Sequence, residues 1–213
     1  MKTRLAALLV FLLVAPVSQA WETEYFGGFS FGNVTLEKSG SEIERNLARN
    51  NWPAASVNVG DGSNITKVFA GAFFSRGMGV RATYVDLGKV DVSVAGGVPA
   101  GAEQEFSNDV LDSLPNTGTG VSLAVQGRFP ISDRMTIHDW AGLFFWKSDQ
   151  SIKVPSAGGT LTTTRSDSGT DLMLGGALEY LITEQLGLRL EAERYNQNND
   201  GITMFGLGAS YYF

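Results

Sequence analysis

The stretch MFGLGASYYF (Met204–Phe213) decides the fold. Phe205, Leu207, Ala209, Tyr211 and Phe213 are apolar or aromatic, while Gly206, Gly208, Ser210 and Tyr212 between them are small or polar apart from the one tyrosine. A period of two is the mark of a β-strand with one apolar face. Working back along the chain, the same alternation recurs seven more times. It runs through Tyr25–Val34, Thr66–Phe74, Met78–Gly88, Gly120–Phe129, Met135–Trp146, Thr170–Leu181 and Leu186–Tyr195. SRG, PISDR and TEQ join the second to the third, the fourth to the fifth and the sixth to the seventh strand, so these pairs are antiparallel hairpins. Long segments follow the first, third and fifth strands: Thr35–Ile65, Lys89–Thr119 and Lys147–Gly169. The expected fold is therefore all-β, an eight-stranded antiparallel up-and-down barrel with tight turns at one end and long loops at the other.

The chain has 213 residues and no cysteine, which excludes disulfides and thiolate metal sites. The formal charge of -6 argues against a nucleic-acid partner. MKTR, an apolar run LAALLVFLLVAPV and small residues at Ser18 and Ala20 read as a secretory leader over residues 1–20, leaving residues 21–213 as the barrel domain. No later segment holds enough consecutive apolar residues for a membrane-crossing helix.

Two solvents suit such a barrel. A soluble lipocalin-like binder turns its apolar face inward; a membrane barrel turns it to lipid. The strands match the ~9–11 residues that a tilted membrane strand needs. Arg81, Gln126, Arg128, Glu179, Arg189, Glu191 and Glu193 share the polar face, so they would form a luminal polar network. Tyr25, Phe74, Phe129, Tyr180, Tyr211 and Phe213 gather at the short-turn end, as an interfacial girdle would. Together these favour the membrane barrel. Asp139 breaks the pattern by falling on the lipid-facing parity, which predicts either a later strand start or a bulge. In the first long segment, SEIERNLARNN fits a short helix opened by Ser41 and Glu44, or else an irregular polar loop. The second and third long segments, rich in Gly, Ser, Thr and Asp, read as surface loops.

KVFAGAFFSRGMGVRATYVDLG, RFPISDRMTI, GGALEYLITEQLGLRLEAERY and FGLGASYYF resemble, in order and spacing, the hairpins and closing strand of the OmpA-like transmembrane domain family. The resemblance implies a bacterial outer-membrane barrel surrounded by lipid and lipopolysaccharide. It implies that Phe205, Leu207, Ala209, Tyr211 and Phe213 form an assembly signal read by the barrel assembly machinery. It also implies charge at the positions of Arg81 and Glu191. No peptidoglycan-binding segment follows Phe213, so wall tethering is not expected. The expected function is a monomeric structural barrel for envelope integrity, with long loops open to an extracellular partner. The alternatives are a narrow ion-conducting pore, and a lipid-modifying enzyme built on the single histidine, His138. No cofactor, metal or catalytic residue is expected.

Overall fold

The computed structural model describes residues 23–36, 39–52, 56–59, 64–74, 77–88, 92–95, 98–114, 117–156, 159–197 and 200–213. The leader expected over residues 1–20 lies outside them. In chain order the elements are β1 (Glu24–Leu36), α1 (Gly40–Arg49), β2 (Ser56–Val59), β3 (Asn64–Phe73), β4 (Met78–Asp86), β5 (Val92–Ala95), α2 (Glu103–Ser113), β6 (Thr119–Pro130), β7 (Met135–Ser156), β8 (Gly159–Leu181), β9 (Leu186–Gln197) and β10 (Asp200–Tyr212). Eight strands close a barrel in the order β1-β10-β9-β8-β7-β6-β4-β3, each antiparallel to its neighbours. β2 and β5 pair separately.

The three short turns are shut by equivalent hydrogen bonds. Phe74 N–H donates to Met78 O (3.0 Å), Ile131 N–H to Met135 O (2.8 Å) and Ile182 N–H to Leu186 O (2.8 Å). In the last two, a hydroxyl captures a further turn amide: Ser132 Oγ accepts from Met135 N–H and Thr183 Oγ1 from Leu186 N–H. β1 joins β10 from Phe26↔Tyr212 to Leu36↔Ile202, and Phe213 N–H donates to Tyr25 O, so no edge is left in the ring.

The parity of the strands sorts the side chains. Phe29, Phe31, Val68, Val125, Leu143, Leu172, Leu190, Phe205 and Leu207 all point outward and are exposed. A continuous apolar wall of this extent is far larger than a soluble surface tolerates. In hydrocarbon it is the favoured face. The lipocalin-like alternative is therefore overturned, because it requires this face to line the interior. Tyr25, Phe74, Phe129, Tyr180, Tyr211 and Phe213 form an exposed aromatic girdle at the short-turn end.

Inside, three layers fill the barrel. Phe26, Phe69, Phe73 and Tyr212 pack at the short-turn end. Interior glycines make room for their rings: a Cβ on Gly28 would meet Phe69 Cζ at 2.4 Å, and one on Gly71 would meet Phe26 Cζ at 2.4 Å. A charged layer follows. Val34, Ile65, Val85, Leu87, Phe144, Met173, Tyr195, Ile202 and Met204 then fill the long-loop end. The alternation had led to a polar interior throughout; two of the three layers are apolar.

The long segments differ most from expectation. β7 and β8 run for 22 and 23 residues. β6 stays with β7 only as far as Thr119↔Lys147, and β9 joins β8 only from Met173↔Tyr195, so the rest of the β7–β8 hairpin projects alone. Most of Lys147–Gly169 is thus ribbon, not loop. α1 is a helix, but its first residue is preceded by Ser39, whose N–H donates to Glu42 Oε2 at 3.4 Å. The expected pair, Ser41 and Glu44, sits inside it, and Glu44 Oε1 instead accepts Val57 N–H at 2.8 Å. α2 lies in a segment expected to be loop throughout. The two helices and the projecting ribbon share an apolar core of Ile43, Leu47, Val57, Phe106, Val110, Leu111, Ile152 and Val154. This outer lobe packs on β7 and β8, which continue directly into the wall.

Candidate functional site

The charged layer is the chemically richest place in the molecule. Glu191 on β9 is its hub. It accepts from Ser30 Oγ at 3.0 Å and from Arg189 Nε at 2.9 Å, and it forms a buried salt bridge with Lys67. Lys67 Nζ also reaches Glu193 Oε1 at 2.7 Å, and the Tyr195 hydroxyl donates to Glu193. Arg189 Nη1 donates to Glu179 Oε2 at 3.3 Å. Glu179 further accepts from the hydroxyls of Tyr212 and Ser210.

Arg81 is held differently. Its Nη2 stands 3.8 Å from Glu191 and 3.7 Å from Glu193, beyond hydrogen-bonding reach. Its guanidinium carbon lies 4.1 Å from the Phe69 ring centre and 4.2 Å from that of Trp140, so two aromatic faces clasp it. Nε donates to Thr83 Oγ1 at 3.1 Å, while Nη1 and Nη2 find no hydrogen-bond acceptor among the described residues. Three cations (Lys67, Arg81, Arg189) thus face three carboxylates (Glu179, Glu191, Glu193) in a buried, charge-balanced layer. Charge balance is what makes such burial tolerable.

Of the residues singled out in the sequence, Arg81, Glu179, Arg189, Glu191 and Glu193 converge here. Two stand apart. Gln126 Nε2 lies 3.1 Å from His138 Nδ1. Arg128 sits at the short-turn mouth, half-buried, where it pairs with Glu24 and its guanidinium carbon is 4.3 Å from the Phe73 ring. Lys67, Ser30, Tyr195 and Trp140 belong to the layer and were missed. The polar-face alternation that exposed the others is blurred in β3, where apolar side chains occupy both faces.

His138 offers no nucleophile–base pair. Its Nδ1 lies 3.1 Å from Gln126 Nε2 and its Nε2 stands 3.5 Å from Glu179 Oε1. The nearby Ser210 hydroxyl donates to Glu179, not to the imidazole. Among the described residues no group of His, Asp and Glu could hold a metal ion.

Phe205, Leu207, Ala209, Tyr211 and Phe213 lie along the outward side of β10, with the Tyr211 and Phe213 rings edge-to-face at 5.0 Å. Asp139 also faces outward. β7 begins at Met135, and its register with β6 runs unbroken from Thr119↔Lys147 to Pro130↔Thr136. Neither the later start nor the bulge occurs.

Outer membrane protein A of Salmonella typhi is 29% identical over 126 residues, covering 51% of this chain and 35% of that protein. The Shigella flexneri protein of the same name is 30% identical over 126 residues, with the same coverage of 51% and 35%. The chain therefore spans about a third of the length of these curated relatives. Among solved structures, the attachment invasion locus protein Ail of Yersinia pestis aligns with a TM-score of 0.49 at 13% identity, covering 92% of this chain and 100% of that one. The N-terminal β-barrel domain of Pseudomonas aeruginosa OprF aligns with a TM-score of 0.49 at 14% identity, over 92% and 100%. Residues 5–213 match the Outer membrane protein beta-barrel domain family, so the chain belongs to that family and is a protein of the bacterial outer membrane.

Proposed function

We propose that this protein is a monomeric structural barrel of the envelope whose outer lobe presents a fixed surface to the extracellular side. The observation that carries this reading is the division of the molecule. A lumen filled by three packed layers supports a stabilising role for the wall. A lobe with its own apolar core supports a defined extracellular contact surface. On the same reading, residues 1–20 are a leader removed on export. The outward row Phe205, Leu207, Ala209, Tyr211 and Phe213 is what the barrel assembly machinery engages. On the same reading His138 is a packing residue of the lumen, set between Gln126 and Glu179.

The test is a chromosomal deletion scored for growth on detergent. The strain lacking the protein is expected to be more sensitive, and re-expression of the full chain should restore resistance. Equal growth of deleted and parental strains would overturn the envelope role.

A second reading, a narrow gated conductance, draws support from Arg81 alone. A guanidinium held by rings, with carboxylates of Glu191 and Glu193 nearly equidistant, could shift between them at little cost. Unitary current steps in planar bilayers containing the purified chain would favour it over a closed barrel.

A further inference from the structure

The two faces of the projecting β7–β8 ribbon carry opposite kinds of side chain. On β8 the outward row changes in a single step from Leu174 and Leu172 to Thr170, Ser168, Ser166, Thr164, Thr162 and Thr160, all of them exposed. These six successive outward positions hold a hydroxyl and no charge. The charges of the same stretch, Arg165 and Asp167, turn to the covered side, where they pair with each other and Arg165 pairs with Asp112 of α2. A strand face left to water ordinarily carries the charges, and β8 does the reverse.

β7 completes the face. Its outward row leaves the apolar wall at Phe145 and continues through Lys147, Asp149, Ser151 and Lys153, opposite Ser168, Ser166, Thr164 and Thr162. Asp149, the one carboxylate in this row, already accepts from Ser166 Oγ and pairs with Lys147 at 3.0 Å. The face is thus a ladder of hydroxyls with two ammonium groups. Lys147 stands about 7 Å along the strand from Phe145, and Lys153 about 20 Å farther.

This face continues the lipid-facing wall, so a lipid lying against Leu172, Leu174 and Phe145 has its head against Thr170 and Lys147. Resting on the reading of the lobe as extracellular, we propose that the outward face of the ribbon seats the phosphorylated oligosaccharide of a neighbouring lipopolysaccharide whose acyl chains lie on the wall beneath. Each threonine or serine hydroxyl both donates and accepts, which is what a sugar hydroxyl asks of its partner. Threonine is stiff at χ1, so Thr160, Thr162 and Thr164 lose little freedom when engaged. Lys147, at the foot of the ladder, meets phosphate where acyl chains give way to sugar, and Lys153 meets phosphate farther out. A phospholipid has no sugar to reach beyond Lys147. A second copy in the same membrane fits badly: a two-fold axis along the membrane normal would set Lys147 against Lys147 and Lys153 against Lys153.

The test measures, by thermophoresis, the affinity of the full chain folded in detergent for lipopolysaccharide with a phosphorylated core and for lipid A alone. Heat-dependent gel mobility checks that each variant is folded. The unmodified chain is expected to bind the core-bearing form about tenfold tighter, the scale of two hydrogen bonds. Thr162→Val with Thr164→Val keeps shape and strand propensity and should bring the two affinities within about twofold. Thr163→Val, on the covered face, should leave the ratio unchanged. Lys147→Gln with Lys153→Gln should weaken binding of the core-bearing form about two- to fivefold, and should not affect the same lipopolysaccharide after dephosphorylation. Equal affinity of the unmodified chain for the two ligands would overturn the seat, as would a preference surviving in the double valine variant. The side of the membrane is read separately. Ala48→Cys, on the exposed face of α1, places a unique thiol in a chain without cysteine, and a membrane-impermeant maleimide is expected to label it on intact cells. Labelling only after the outer membrane is opened would overturn the extracellular reading and the seat with it. Labelling of intact cells together with equal affinities would overturn the seat alone.

Discussion

In the barrel, Leu190 and Phe205 point out while Glu191 and Glu193 point in; in the outer lobe, Leu47 and Phe106 point in while Arg45 and Arg49 point out. The two regions meet on the same pair of strands, and they are inside out with respect to each other. The difference teaches that alternation reports two faces, and only the surroundings say which face is buried. In the wall, cohesion comes from a closed hydrogen-bond ladder, since apolar contact with lipid gives little net drive. In the lobe it comes from removing Ile43, Leu47, Phe106 and Val110 from water. The wall should therefore be vulnerable at its buried charges and the lobe at its buried hydrocarbons.

Three measurements sharpen or break that contrast. Glu191→Ala takes away the carboxylate shared by Lys67, Arg81 and Arg189, leaving buried cations uncompensated. The barrel should lose about 3–5 kcal/mol of unfolding free energy in urea, followed by tryptophan fluorescence in detergent. An unchanged midpoint would mean that the charged layer is not what holds the lumen. Leu47→Ala should cost the lobe about 2–5 kcal/mol. It should expose α1 and α2 to limited proteolysis while the heat-dependent shift in gel mobility of the barrel is retained. Loss of that shift would show that wall and lobe unfold as one unit. Arg165→Ala, which removes the ion pairs with Asp112 and Asp167, should cost only about 0.2–1 kcal/mol and less in high salt. A larger, salt-independent loss would mean that the ribbon, and not the apolar core, holds the lobe in place.

The wall was legible because lipid on one side and charge on the other give the strongest alternation a strand can have. Leu188, Leu190 and Ala192 against Arg189, Glu191 and Glu193 show it plainly. Lys67 was not legible: its inward neighbours are Ile65 and Phe69, so β3 has no polar face on which to notice a charge. The same mixing hid the apolar luminal layer. The ribbon was read as loop because outside the membrane neither of its faces must be greasy. Its outward Thr160, Thr162, Thr164, Ser166 and Ser168 resemble loop composition, while Ile152 and Val154 alone mark the covered side. In α2 a helical signal is present, Phe106, Val110 and Leu111, but the neighbouring Ser107, Asn108 and Ser113 mask it. Asp139 is visible in the sequence as an outward charge on β7. A change of register was the economical account of an outward charge, and the unbroken ladder with Gly127 and Gly176 rules it out.

The continuous β7–β8 ribbon also has a mechanical consequence. A tug on the lobe is delivered along both strands into the wall, where β7 is flanked by β6 and β8 by β9. Those ladders are loaded along their length, so their hydrogen bonds share the force instead of parting one after another. A lobe hung on a slack tether would swing and unzip; this one is braced, and a pull applied to it is borne by the barrel itself.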